Sequence, residues 1–183
     1  YKSTDAGVSW SLLGGGLPVS GFQRINLAIA PLSAPLTLFA SFVDPAGQLL
    51  GMYKTVDGGA SWFLLPAPNY VGTQGWYDNT LVVHPNNSDT VFAGGVYPYA
   101  PGYYGVIRST DGGFTWTDVT VDLLGNILHP DQHSMVFGSD ATLWLGNDGG
   151  VSATQNDGGL WQNKNDGLAI TQFYTVTPSP AVA

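Results

Sequence analysis

The chain has no cysteine, no glutamate and few basic residues. The absence of cysteine excludes disulfide bonds but assigns no compartment, because a disulfide-free protein persists in either redox state. All 13 acidic residues are Asp, and only 5 residues are Lys or Arg, so the formal net charge is −8. A surface with this charge repels polyphosphates, and we therefore expect no nucleic acid partner.

Long apolar segments are also absent from the sequence. No run approaches the ~18 to 20 apolar residues needed to cross a bilayer, so we expect no membrane span, and any targeting segment must precede Tyr1. The chain does contain 25 Gly, 12 Pro and 13% aromatic residues, with only 10% charged residues. This composition is typical of a β-rich protein, and 183 residues are enough for one domain with a sizeable core.

One short motif, S/T-x-D-x-G-x-x-W, occurs four times. Its closing tryptophans lie 52, 54 and 45 residues apart, a period typical of propellers and solenoids. The fourth copy carries Asn in the Asp position. The motif residues are Ser3, Asp5, Gly7 and Trp10; Thr55, Asp57, Gly59 and Trp62; Ser109, Asp111, Gly113 and Trp116; and Thr154, Asn156, Gly158 and Trp161.

The chemistry of the motif predicts a β-hairpin corner. Asp can accept hydrogen bonds from backbone N–H groups just downstream, Gly adopts positive φ without a Cβ penalty, and the Ser or Thr hydroxyl closes the turn from the other side. The Trp that follows begins the returning strand, where it can bury its ring and donate its N–H. Each copy therefore predicts a turn with a packing anchor.

The motif resembles the Asp-box, or bacterial neuraminidase repeat (BNR). That family includes sialidases, xyloglucanase-type glycoside hydrolases, sortilin-type receptor ectodomains and secreted bacterial proteins of unassigned activity. The resemblance implies a structural turn between the third and fourth strands of each propeller blade. It also implies a secreted or cell-surface protein of bacterial type.

Short β-branched and aromatic runs around the motifs predict an all-β fold, a β-propeller with four-stranded antiparallel blades. We expect three full blades, the end of a preceding blade and the first strand of a following one. The corresponding ranges are 25–66, 80–120 and 133–163 for the blades, 1–14 for the preceding end and 171–177 for the following strand. Such an arc leaves open blade faces, so we expect remaining blades of the same polypeptide, or a partner chain, to complete the ring.

The first candidate site is the segment 75–79, which lies outside the repeat. Trp76 and Tyr77 could form a platform on which the apolar face of a sugar stacks, while Asp78 and Asn79 bind its hydroxyls. The alternative is that the two aromatic rings fill the space between blades, since aromatic side chains are commonly buried.

The second candidate site is the segment 129–133. His129, Asp131 and His133 could contact a ligand or a divalent metal, because imidazole and carboxylate are ligands that Zn or Mn accept. Their spacing places three side chains on one face only in a regular strand, and Pro130 argues against that. The alternative is structural hydrogen bonding, and the metal content stays open.

Three Asn-Asp-Gly-type segments, 146–150, 156–158 and 165–167, form a third group. They are typical of tight hairpin turns, since Asn and Gly readily supply positive φ. A structural calcium is the alternative, but no segment shows the regular ligand spacing of a calcium loop. We therefore expect no cofactor, with calcium as the open case.

An enzymatic role is constrained by what the resemblance implies. A sialidase site would need an arginine cluster and a glutamate, and the chain has two Arg and no Glu. Xyloglucanase-type hydrolysis would need two facing carboxylates, for which Asp78 and Asp131 are the candidates, although the sequence shows no environment that would raise the pKa of either.

Three hypotheses remain open. The first is a non-catalytic secreted or cell-surface module whose loops bind carbohydrate or protein. The second is a segment of a glycoside hydrolase with part of its site in further blades. The third is a structural subunit of an extracellular assembly, whose open sheet edges would dock one chain to the next.

Overall fold

The computed structural model describes residues 1–33, 36–96 and 105–169. Within those ranges every regular element is a strand, and the strands form three four-stranded antiparallel sheets. The first sheet contains β1 Arg24–Ile29, β2 Leu38–Val43, β3 Leu49–Thr55 and β4 Phe63–Leu65. The second contains β5 Thr80–Val83, β6 Val91–Gly94, β7 Val106–Ser109 and β8 Thr117–Asp118. The third contains β9 Gln132–Phe137, β10 Leu143–Asn147, β11 Gly150–Thr154 and β12 Gln162–Asn163.

Each sheet is a meander in which neighbouring strands follow one another along the chain. The first strands of the three sheets lie side by side, β1 beside β5 and β5 beside β9, so the sheets share an inner edge. This is the arrangement of propeller blades around a common axis, and the predicted all-β propeller fold is confirmed.

The core lies between successive sheets. One apolar cluster joins the first and second sheets, with Phe39, Met52, Tyr70 and Ile107 fully buried within it. A second cluster joins the second and third sheets around Phe92, Leu143, Leu145 and Trp161. The middle sheet is covered on both faces, which explains why β6 is buried at every position instead of alternating.

All four motif copies form the same turn. The fourth and fifth motif residues adopt left-handed φ values between 56° and 96° in every copy, which explains the Gly at the fifth position. The first motif hydroxyl accepts a hydrogen bond from the N–H of that Gly at 2.7 to 3.0 Å and donates to the Asp or Asn side chain. The same Asp or Asn oxygen accepts the N–H four residues later, at 2.8 to 2.9 Å.

The motif tryptophans differ in burial. Trp62 and Trp161 are buried, and Trp161 Nε1 donates to the carbonyl oxygen of Val119 at 2.7 Å, across the boundary between two sheets. Trp116 is half-buried, and Trp10 is exposed, with its Nε1 donating to the Gly7 carbonyl oxygen inside the turn. The expected packing anchor thus fails in the first copy, because no described strand covers Trp10.

The strands expected at the two ends of the chain are not found as expected at the first end and lie outside the described residues at the second. In the range 1–14, where two strands of a preceding blade are expected, the structure has a single antiparallel bridge between Lys2 and Ser11. The range 171–177, expected to begin the next blade, lies outside the described residues. The outer face of the first sheet still carries exposed apolar side chains, with Leu27 the most exposed of those on β1.

Candidate functional site

The segment 75–79 forms a tight turn just before β5. The backbone N–H groups of Tyr77 and Asp78 both donate to the carbonyl oxygen of Gln74 at 2.8 Å. This turn directs Trp76 and Tyr77 outward, where they are 56% and 52% exposed. Their ring centroids lie 5.6 Å apart with the planes inclined by 37°, so the two rings form one aromatic surface, here called the platform.

The next two residues point in the opposite direction. Asp78 and Asn79 are fully buried. The Asn79 side-chain oxygen accepts hydrogen bonds from Ser41 Oγ and Tyr70 Oη, both at 2.9 Å. The prediction that Asp78 and Asn79 bind sugar hydroxyls is therefore corrected: both side chains are buried in the core, where the Asn79 amide joins the first two sheets.

Arg24, the first residue of β1, holds the platform segment from the neighbouring sheet. Its Nη1 donates to the carbonyl oxygens of Trp76 at 2.9 Å and Tyr77 at 2.7 Å, and its Nη2 lies 3.4 Å from that of Asn79. Asn26 Nδ2 also donates to the Asn79 carbonyl oxygen, at 2.6 Å. The backbone beneath the aromatic rings is thus fixed by β1.

His133, on β9, lies between two carboxylates from different sheets. Its Nε2 is 2.6 Å from Asp148 Oδ1, and its Nδ1 is 3.2 Å from Asp78 Oδ1, an ion-pair distance without hydrogen-bond angles. The edge of the imidazole also contacts Tyr77, with ring centroids 4.8 Å apart. The platform, the imidazole and the exposed Asp148 therefore form one continuous surface.

Asp78 lies beneath this surface in an environment that disfavours its charge. Burial is the largest cause that raises the pKa of Asp78, to about 6. The negative charge of Asp131 raises this pKa further, His133 opposes the rise, and Asp148 adds a smaller increase. Neither carboxylate oxygen of Asp78 has a hydrogen-bond partner among the described residues. The sequence did not reveal this environment, because it arises from residues 53 and 70 positions away.

The three residues of the segment 129–133 do not converge. Asp131 adopts a left-handed φ of 64°, which breaks the extended spacing. His129 turns away to Gly149, and its Nδ1 lies 3.1 Å from the Pro130 carbonyl oxygen. His129, Asp131 and His133 therefore do not form the single ligand or metal group that the sequence left open beside structural hydrogen bonding. In the part of the chain that the structure describes, no three His, Asp or Glu side chains form a metal-binding group.

The Asn-Asp-Gly segments are turns with defined roles. The segment 147–150 joins β10 to β11 and places Asp148 beside His133. Asn165 binds that hairpin from the other side, through the Gly149 carbonyl oxygen at 2.9 Å and the Val151 N–H at 2.7 Å. Asn156 lies in the fourth motif turn.

Two residues of the site, Asp148 and Arg24, were not predicted from the sequence. Asp148 is visible in the sequence only as a turn residue, and Arg24 only as one of two arginines. Asp148 reaches His133 within the third sheet from 15 residues away, and Arg24 reaches Trp76 from the first sheet, 52 residues away. No local pattern signals such contacts.

Comparisons with known proteins give structural neighbours only. No family model matches the sequence, and no curated protein sequence matches it. Among solved structures, an ancestral GH74 enzyme is similar with a TM-score of 0.57 and 25% identity, over 88% of this chain and 20% of that chain. The GH74 xyloglucanase from Xanthomonas campestris is similar with a TM-score of 0.55 and 16% identity, over 74% of this chain and 22% of that chain.

The chain therefore spans about a fifth of the length of these enzymes. The ancestral GH74 enzyme is similar in fold and is 25% identical in sequence. The xyloglucanase, at 16% identity, shows similarity of fold alone. Among the described residues, no helix has the length and apolarity to cross a membrane.

Proposed function

We propose that this chain is a carbohydrate-binding part of a secreted or cell-surface β-propeller, with its ligand stacked on Trp76 and Tyr77. The observation that carries the proposal is the exposure of two adjacent aromatic rings on a backbone held by hydrogen bonds from another sheet. Aromatic rings in this setting offer a rigid apolar surface at low entropic cost. The resemblance to glycan-acting enzymes supports a sugar over a protein ligand.

The charges around the platform favour an uncharged glycan. Asp78, Asp131 and Asp148 lie beneath or beside it, whereas the nearby Arg24 directs its donors to backbone carbonyl groups. Glycans rich in uronic acids or sulfate would meet like charge, which costs affinity. His133 and Asp148 lie at the edge of the rings, where they can exchange hydrogen bonds with sugar hydroxyls.

Further blades of the same polypeptide, or a partner chain, would supply the rest of the ring. The relatives of known structure extend well beyond the matched region, which supports this part of the proposal. The ligand surface described here would then be one section of a longer binding groove.

Calorimetric titration with xyloglucan oligosaccharides tests the proposal, with oligogalacturonate as the charged comparison. Trp76→Ala and Tyr77→Ala should each weaken binding by about tenfold, since loss of an aromatic contact costs about 1.4 kcal/mol. Phe114→Ala is the matched control, because Phe114 is equally exposed, at 56%, on the third motif turn. Unchanged affinity in both platform variants would refute the platform.

A second candidate function, glycoside hydrolysis, is favoured by the raised pKa of Asp78. A carboxyl group that stays protonated to about pH 6 can serve as a general acid. The burial of both Asp78 oxygens opposes this role, because a general acid must reach the glycosidic oxygen. Reducing-sugar release that disappears in Asp78→Asn would establish hydrolysis. Binding without such release would favour the non-catalytic binding module.

A further inference from the structure

Arg24 stands out among the charged residues because it donates to three backbone carbonyl groups of a single turn. Three of the four carbonyl oxygens in the segment 76–79 lie within 3.4 Å of its guanidinium group. The residue is only half-buried, yet it makes three hydrogen bonds to the one turn that leads into another sheet. A surface arginine without such a role would have its donors in water.

The geometry requires a guanidinium group. Its N–H donors are fixed in one plane, so Nη1 can serve two carbonyl groups while Nη2 faces a third. An ammonium group at the same place is a compact, strongly hydrated point charge and cannot reproduce this planar arrangement. Hydrogen bonds with a charged donor are also stronger than those between neutral groups.

The bonded carbonyl groups belong to the platform residues themselves. Trp76 and Tyr77 present their rings to solvent while their carbonyl oxygens are held by Arg24 on the inner side. The N–H groups of Tyr77 and Asp78 are satisfied by Gln74 within the turn. Arg24 is therefore the principal described tie between the platform backbone and β1, assisted by Asn26.

We infer that Arg24 is the positioning residue of the carbohydrate platform, which fixes the orientation of Trp76 and Tyr77 from the neighbouring sheet. The expected effect of Arg24 on glycan affinity rests on the proposed function. The structural part of the inference, the immobilisation of the segment 76–79, stands independently. Arg24 touches the backbone and not the ligand, so its loss should change affinity through the rings.

The test compares Arg24→Met and Arg24→Lys with Arg108→Met. Arg108 is the other arginine of the chain and likewise bonds a carbonyl group of the next sheet, that of Asp157, at 2.7 Å from Nη1. It lies away from the platform and is the matched control. Hydrogen exchange of the Tyr77 and Asp78 amides and affinity for xyloglucan oligosaccharides are measured on all variants.

Arg24→Met should accelerate amide exchange at Tyr77 and Asp78 and weaken glycan binding by about tenfold or more, as expected for lost charged hydrogen bonds. Arg24→Lys should show slower amide exchange and tighter glycan binding than Arg24→Met without reaching the wild-type values. Arg108→Met should leave amide exchange and glycan affinity unchanged. In Arg24→Ala, millimolar methylguanidinium should restore slow exchange, a rescue that a general loss of stability would not show.

The inference is overturned if Arg24→Met leaves exchange of these amides unchanged, or if Arg108→Met accelerates it equally. If the wild-type chain binds no glycan, the proposed function fails, while the exchange and rescue measurements still decide the role of Arg24. If exchange responds and affinity does not, Arg24 immobilises the turn without positioning a binding surface, and the inference is wrong.

Discussion

His133 Nε2 lies 2.6 Å from Asp148 Oδ1, while the Nδ1 atom of the same ring faces Asp78. Asp78 precedes the first strand of the second sheet, and Asp148 lies in a hairpin of the third. One imidazole therefore connects two blades near their inner edge. The same ring contacts Tyr77, so the connection between blades is also part of the platform surface.

Substitution Asp78→Asn should change how stability depends on pH. Because the folded chain raises the pKa of Asp78 to about 6 from 3.8, it holds a proton that the unfolded chain releases between these values. The free energy of unfolding should therefore fall as pH rises from about 4 to about 6, by roughly 3 kcal/mol for a pKa difference near two. Asp78→Asn should flatten this fall and be more stable than wild type at pH 7, as measured by urea denaturation.

The motif carboxylates provide the internal control for that measurement. Hydrogen bonds from Ser9 and Ser3 lower the pKa of Asp5 to about 2, and similar bonds lower those of Asp57 and Asp111. Their stabilisation is present above pH 4 and is lost as pH falls toward 2. This acid limb should persist in Asp78→Asn, and its disappearance would mean that the variant had disturbed the fold as a whole.

Removal of the bridging imidazole should destabilise the chain most when Asp78 is ionised. His133→Ala leaves a buried carboxylate with fewer compensating partners, a change that costs about 3 kcal/mol in comparable pairs. We expect this loss at pH 7 and a smaller loss at pH 5. The double variant with Asp78→Asn should recover part of the stability at pH 7, and strict additivity of the two substitutions would contradict the pairing.

The hydroxyl group of Ser109 should be necessary for the third motif turn. Its Oγ accepts the Gly113 N–H at 2.8 Å and donates to Asp111, all in a buried position. Ser109→Ala should cost about 1 to 3 kcal/mol because it leaves that N–H without a partner. Ser109→Thr should be close to neutral in thermal denaturation, since Thr55 and Thr154 hold the same place in other copies.

The motif tryptophans should differ in their contribution to stability despite identical sequence positions. Trp161→Ala empties a buried site and removes the bond to the Val119 carbonyl oxygen, so we expect a loss of about 3 to 5 kcal/mol. Trp10→Ala should cost less than about 1 kcal/mol, because that ring is exposed. Equal losses in chemical denaturation would show that the repeats are equivalent in solution.

The repeat made the fold predictable. Motif spacing and strand composition were enough to predict three four-stranded blades, because each blade is built from local hairpins. The platform residues Trp76 and Tyr77 were recognisable because they interrupt the repeat, and that role remains a proposal. The environment of Asp78 was not predictable, because it depends on His133 and Asp131 in the next blade.

Local backbone conformation explains why His129, Asp131 and His133 do not converge. Sequence spacing would place His129 and His133 on one face only in a regular strand, and the left-handed Asp131 between them breaks that regularity, so the two rings contact different partners. Asn79 illustrates the converse case, in which a polar residue beside a surface site lies in the core because Ser41 and Tyr70 donate hydrogen bonds to its side chain. Such choices depend on neighbouring sheets and not on nearby residues.

The fourth motif turn differs from the others by two linked substitutions. In the first three copies a hydroxyl four residues after the Asp donates to the second carboxylate oxygen, whereas the fourth copy has Asn156 with Leu160 at that place. An amide offers a nitrogen where the carboxylate offers that second oxygen, so the donor and its acceptor have been lost together. Asn156 itself has no proton to gain, so the hydrogen bonds that its side chain accepts in the third blade do not require an ionised group, whereas those of the first three copies do.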